Sequence, residues 1–466
     1  MTALHFRPLA EIVADMATGA LSSEAVTAHT LARIEALEPR LHAFAEVRAE
    51  AALAEARAAD LRRAAGAPLG PLHGAPVAIK DLLALAGTRT RAGGFFDTGF
   101  AADATATVAT RLQDAGAIIV GKLQLTEGAW GSHHPAITAP VNPWAEDYWT
   151  GVSSSGSGVA AAAGLAYGTI GTDTAGSIRF PSACCHVVGL KPTWGRVSRH
   201  GVFPLSDTFD HVGPMARSTL DVALMFAAIA GPDPRDPTAL DGPRADWVSA
   251  ARAGRLDGVR IGLDTDYAMT GLDEPTSAAL KGAIGALREA GATIVEVTMP
   301  PVAAILEKAF RAAFVEAAIS HARTYPSQRA AYSDAYAALL DAGRAASGTD
   351  YAEVAIWRRE YRGRLSAMFR EAEMIIAPVV PIAPPTVAQM ALATGGPPEG
   401  AATLTAYTIP FNLAGVPSLT LPMGLAPSGA PLGFQLIGPD LAEAVLLSAG
   451  AAYERVTGFS GRHPPV

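Results

Sequence analysis

Gly151-Val152-Ser153-Ser154-Ser155-Gly156-Ser157-Gly158, then the small apolar residues Val159 to Ala166, then Gly171-Thr172-Asp173-Thr174-Ala175-Gly176-Ser177-Ile178-Arg179: the reading of this chain turns on these segments. Four serines stand among glycines in the first of them. Gly/Ser-rich text ordinarily forms a flexible linker. Here it runs directly into Ala/Val residues with the composition of buried helix and strand, which a linker would not do. Glycine-rich backbone beside a hydroxyl is also what an oxyanion hole requires, because unhindered N–H groups can then be aimed at one point.

Working outward, the serines lie in the first of three uncharged runs, Tyr148 to Thr172, Met374 to Pro398 and Gly400 to Pro439. Runs of this length raise the question of a membrane span. Gly and Ser fill the first, and Pro cuts the other two repeatedly, so a large buried interior accounts for them better. The composition agrees: of 466 residues, 50% are hydrophobic and 17% charged, against ~25% charged in typical soluble chains. Disorder needs the opposite balance. A net charge of −8 offers no electrostatic case for nucleic acid or an anionic membrane as partner. Met1 to Met16 carries Glu11 and Asp15 and has no apolar core of a signal peptide. The two cysteines, Cys184 and Cys185, are adjacent, which excludes a disulfide framework and a zinc site built on cysteine pairs. A cytoplasmic location is the expectation.

Hydrophobic periodicity predicts helix over 8–60. From Pro71 onward helix and strand alternate. Thr105 to Ala115 reads as helix, Gly116 as its stop and Ala117 to Val120 as a buried strand; Pro275 to Ala290, Gly291 and Thr293 to Val297 repeat that unit. Ser218-Thr219-Leu220-Asp221 opens another helix. Residues 302–372 form a long Ala- and Arg-rich helical stretch, Glu373 to Pro378 a strand, and the Pro-rich tract after it a loop. This alternation argues an α/β architecture with a largely buried sheet. No flexible linker divides the chain, so the expectation is one domain over 1–466: an N-terminal helical segment (1–60), a catalytic core (70–220) and a variable helical region (302–372) at the substrate pocket.

Several chemistries are missing. There is no GxSxG elbow, SxxK, HExxH or GxxxxGK[ST] motif. His133 and His134 are neighbours expected to point apart on a strand, as packing or surface residues. A serine nucleophile still needs a base, and lysine is scarce: Lys80, Lys122, Lys191, Lys281 and Lys308 are all there are. Lys80 follows the apolar run Val77-Ala78-Ile79. Such a lysine is ordinarily solvated or salt-bridged, here to Asp81. If buried instead, its ammonium form is disfavoured and the free amine becomes a base.

Together these residues resemble the amidase signature family. Gly70 to Asp81 looks like its lysine segment, Gly151 to Ser157 like its serine-loop segment, and Gly171 to Pro181 like the segment carrying its nucleophile. Gly189 to Thr193, Asp210 to Arg217 and Asn412 to Pro417 match further blocks in the same order. The resemblance implies a central mixed β-sheet covered by helices on both faces. It implies a Ser–cis-Ser–Lys triad with Lys80 as base, Ser153 (cis peptide) as bridge and Ser177, 24 residues on, as nucleophile. The amides of Thr174, Ala175, Gly176 and Ser177 would form the oxyanion hole. Thr172, Asp173 and Arg179 would support the triad. Val152, Ser155 and Ala175 replace family glycines, and Ala175 would be strained if its position needed a positive φ.

The chemistry implied is acyl transfer through an acyl-enzyme on Ser177, with no metal or cofactor. The substrate expected is a small, apolar or aryl amide or carbamate, its pocket drawn from Gly128-Ala129-Trp130, Phe203-Pro204-Leu205 and the 302–372 helices. A homodimer is implied. The alternative is the glutaminase component of a glutamine-dependent tRNA amidotransferase, its A subunit, working with partner subunits. That branch carries an Asp before the Asn412 block to hold the glutamine amino group, and Leu404 to Pro410 has none. A catalytically silent binding protein on the same fold is the third class.

Overall fold

Runs rich in Val, Ile and Leu collect into one sheet. The computed structural model describes residues 2–242, 244–394 and 404–466. Its strands are β1 (Phe44–Val47), β2 (Pro76–Lys80), β3 (Ile118–Leu123), β4 (Gly168–Asp173), β5 (Val188–Lys191), β6 (His211–Ala216), β7 (Arg260–Leu263), β8 (Thr293–Glu296), β9 (Met374–Pro378), β10 (Ser418–Leu425) and β11 (Pro431–Ile437). Among the described residues they form one sheet in the order β1-β3-β2-β4-β6-β5-β10-β11-β9-β7-β8. It is mixed: β3, β2 and β4 run parallel, as do β8, β7 and β9, and antiparallel ladders join the rest. Every residue of β2, β3, β4 and β6 is buried, as expected where helices cover both faces and strands are apolar throughout.

This topology positions the site. β2 and β4 are parallel neighbours, with Ile79 opposite Ile170, so their carboxyl ends, Lys80 and Thr172-Asp173, emerge at the same edge. A crevice at the carboxyl ends of strands is where open α/β sheets take ligands.

Three expectations change. The 8–60 segment is interrupted: β1 lies between the helices Ser23–Leu41 and Ala49–Ala64 and pairs antiparallel with β3. The 302–372 stretch is three helices, Ala303–Ser320, Asp334–Ala345 and Gly348–Met368. The Pro-rich tract contains a helix, Val387–Thr394. Thr386 and Gln389 open it reciprocally, the Gln389 amide donating to Thr386 Oγ1 at 3.2 Å and the Thr386 amide to Gln389 Oε1 at 2.8 Å. The part of the tract over 395–403 lies outside the described residues. No helix among the described residues is long and apolar enough to cross a membrane.

Candidate active site

Lys80 ends β2 with no solvent exposure. Its Nζ donates to Ser153 Oγ at 2.7 Å and to Thr172 Oγ1 at 2.8 Å. Asp81 is not its partner; that carboxylate lies 2.7 Å from Lys122 Nζ. Burial pushes the Lys80 ammonium down to about 7, against the opposing pull of the Asp210 and Asp173 carboxylates. A neutral amine is therefore well populated at neutral pH.

The four serines of the loop are distinguished by what they touch. Ser154 Oγ donates to the Thr172 carbonyl at 3.1 Å, and Ser157 Oγ to the Ile170 carbonyl at 3.2 Å, tying the loop to β4. Ser155 Oγ lies 2.9 Å from His133 Nε2. Ser153 alone among the four meets Lys80, and the Val152–Ser153 peptide is cis. Ser177 lies alongside: its carbonyl accepts from the Ser154 amide at 3.3 Å. Among the described residues its hydroxyl makes no hydrogen bond to Ser153.

The 173–179 loop is built around a buried ion pair. Arg179 donates through Nη2 to Asp173 Oδ1 at 2.9 Å and through Nε to Oδ2 at 3.0 Å, and both side chains are fully buried. Burial works to raise the Asp173 carboxyl, but Arg179, Lys191 and Asn412 hold it well below the usual carboxylate range. Asn412 Nδ2 donates to Asp173 Oδ1 at 2.9 Å and accepts from Arg179 through Oδ1. Arg179 Nη1 reaches the Thr408 carbonyl at 2.9 Å, so the last third of the chain clamps the loop.

This clamp revises the oxyanion-hole expectation at one position. The Gly176 amide donates to Asp173 Oδ1 at 2.8 Å and is committed there. Among the described residues, the amides of Thr174, Ala175 and Ser177 donate to no acceptor. The positive φ of the loop falls on Gly176 (φ 127) and not on Ala175, so the Ala175 methyl brings no backbone strain. A Cβ on Gly176 would also lie 2.5 Å from the Phe180 ring.

A cleft opens beside Thr174 and Ala175. Trp130, Phe209, Phe310, Ile409 and Leu413 form its apolar wall, and among the described residues no charged side chain lines it. Trp130 meets Phe310 edge-on, with ring centroids 5.2 Å apart. Of the expected substrate residues, Trp130 lines this cleft; Gly128 and Ala129 do not. They are buried, and the Tyr336 hydroxyl donates to the Gly128 carbonyl at 3.3 Å. Phe203 and Leu205 pack in the core. The helical region contributes Ala309, Phe310 and Ala313. Among the described residues no group of three His, Cys, Asp or Glu is placed to hold a metal ion.

Residues 25–447 match the family model described as Amidase. The chain belongs to the amidase signature family. This amidase is 42% identical over 98% of its length to AmiD of Mycobacterium tuberculosis, provisionally named an amidase, and covers 96% of that protein. It is 38% identical over its whole length to the A subunit of the glutamyl-tRNA(Gln) amidotransferase of Chloroflexus aggregans, covering 99% of it. Among solved structures, the peptide amidase from Stenotrophomonas maltophilia superposes with a TM-score of 0.82 at 32% identity, over 98% of both chains.

Sequence reasoning missed several groups at this candidate site. Asp210 accepts from Thr174 Oγ1 at 2.5 Å, and Thr408 Oγ1 donates to the Ala175 carbonyl at 2.5 Å. Gln435 Oε1 accepts from Arg179 Nη1 at 3.3 Å. Asp210 and Asn412 stand inside matched blocks, and that is their only signal. His133, expected as a packing or surface residue, contacts Ser155 and so reaches the serine loop.

Proposed function

We propose that this amidase is a serine hydrolase that cleaves the C–N bond of a small, apolar or aryl amide or carbamate through an acyl-enzyme on Ser177. The observation that carries the reading is Lys80, buried without an ion-pair partner among the described residues, its amine 2.7 Å from the hydroxyl of Ser153. Neutral Lys80 takes the Ser153 hydroxyl proton as Ser153 takes that of Ser177, and Ser177 Oγ attacks the carbonyl carbon. The amides of Ala175 and Ser177, with that of Thr174, stabilise the oxyanion. On collapse the C–N bond breaks and the amine leaves with the proton returned through Ser153. Water then releases the acid by the same relay. Thr172 orients Lys80, and the Asp173–Arg179 pair holds the loop.

The cleft supports the substrate class. Its wall is aromatic and aliphatic, suited to an uncharged acyl or aryl group. A second reading, the amidotransferase component, is favoured by the 38% identity to the Chloroflexus protein. It needs a carboxylate for the glutamine ammonium group, and neither Leu404 to Pro410 nor the described cleft wall supplies one. The homodimer belongs to the first reading.

A fluorophosphonate probe should label the wild-type protein and leave Ser177→Ala unlabelled, as read by intact mass. Labelling that persists in the variant rejects Ser177 as nucleophile. A panel of aryl carbamates, p-nitroanilides, aliphatic amides and glutamine then separates the two readings: turnover of glutamine alone, and only with partner subunits, selects the second.

A further inference from the structure

The ladder between β4 and β6 pairs Thr172 with Val212 and Asp173 with His211. Continued by one residue, it sets Asp210 opposite Thr174, at the start of the proposed oxyanion loop. There Asp210 Oδ1 accepts from Thr174 Oγ1 at 2.5 Å, while Oδ2 accepts from the Leu205 and Ser206 amides at 2.9 and 3.2 Å. Three uncharged donors from two segments thus converge on a carboxylate only 5% exposed. Next door, the cluster at the end of β2 holds Lys80 through two hydroxyls, with no carboxylate among the described residues bonded to it.

We propose that Asp210 is a positioning residue of this site: it anchors the oxyanion loop through Thr174 and sets a buried negative charge beside the Lys80 cluster. The inference rests on the Ser177–Ser153–Lys80 reading above and adds to it. A buried lysine without opposing charge holds its proton more weakly, and one bonded directly to a carboxylate holds it more tightly. Asp210 acts from beyond hydrogen-bond reach, between those extremes. The groups that bear electrostatically on the pair are Asp173, which adds its field at Lys80, and Arg199 and Tyr336, whose fields reach Asp210. Burial raises the Asp210 carboxyl to about 6, while Thr174, Arg199 and the two amides oppose the rise, so the carboxylate is the prevailing form at neutral pH.

The test is the pH dependence of kcat/KM on an aryl ester or amide substrate. A carboxylate near an ammonium favours the protonated form, so removing its charge lowers the pH at which Lys80 is protonated. Asp210→Asn, which keeps an acceptor oxygen, is expected to move the acid limb to lower pH by roughly one unit. Asp210→Glu, which keeps the charge, should leave the limb in place. If Asp210→Asn does not fold, Thr174→Val carries the test. A carboxyl deprived of its hydroxyl donor binds its proton at higher pH and withdraws its charge, so the limb moves the same way. A limb unmoved in a folded variant, or moved to higher pH, overturns the role of Asp210. A purely structural residue would lower kcat without moving the limb. Ser177→Ala run alongside keeps the two ideas apart: if it retains activity, the triad reading fails, whatever Asp210 does.

Discussion

Lys80 carries its proton in an interior where two hydroxyls are its hydrogen-bond partners. With the ammonium pushed down to about 7 by burial, the amine is free above that pH, so kcat/KM should rise as pH passes through about 7. Lys80→Ala should lower it by at least ~10², the size of a lost acid–base group; a pH–rate profile checks both. The same residue shows what the sequence could carry. Lys80, Ser153 and Ser177 lie in short segments whose composition is unusual on its face. Asp210, Thr408 and Gln435 do not, because each reaches the site only after the chain has folded back over tens to hundreds of residues, and an isolated Asp, Thr or Gln looks like any other. In the proposed mechanism one of the four loop serines bridges to Lys80. Which one depends on the other three being tied to β4 and His133, and spacing alone does not encode that.

At the scale of elements, the 173–179 loop is held by partners from distant segments. Asp173 receives Arg179, Asn412 and the Gly176 amide on one carboxylate. Breaking a buried ion pair by removing one partner costs about 3–5 kcal/mol, because the other charge is left uncompensated. Asp173→Asn should therefore lower the melting temperature markedly and slow turnover together, measured by calorimetry and assay on the same sample. Helix and strand were legible wherever apolar periodicity ran unbroken: the Thr107–Asp114 and Glu274–Glu289 helices and the strands β3 and β8 that follow them. The Val387–Thr394 helix was hidden by the prolines around it, although Thr386-Val387-Ala388-Gln389 already spelled its opening turn. β1 was hidden for the opposite reason. Phe44 to Val47 is too short for a period and becomes a strand only because β3 offers an edge.

At the scale of the whole molecule, the architecture followed from alternation and low charge, but the strand order did not. β5 lies between β6 and β10, and β9 between β11 and β7, pairings set by packing and not by local sequence. The described parts of the uncharged runs supply the serine loop and the strands β4, β9, β10 and β11, an environment with little to solvate a cation. That has a consequence for the fold itself. The unfolded chain holds the Lys80 proton up to its ordinary value of 10.5, whereas the native state releases it at about 7. Between those values the unfolded state binds the extra proton, so native stability climbs with pH across that window. The penalty Lys80 imposes is greatest below the lower value and gone above the upper one. Lys80→Met should give an inert protein that melts higher than the parent near neutrality, with the gap closing as pH approaches the upper end of the window. Under selection for heat resistance alone, with no screen for turnover, replacement of Lys80 by an apolar residue would be favoured.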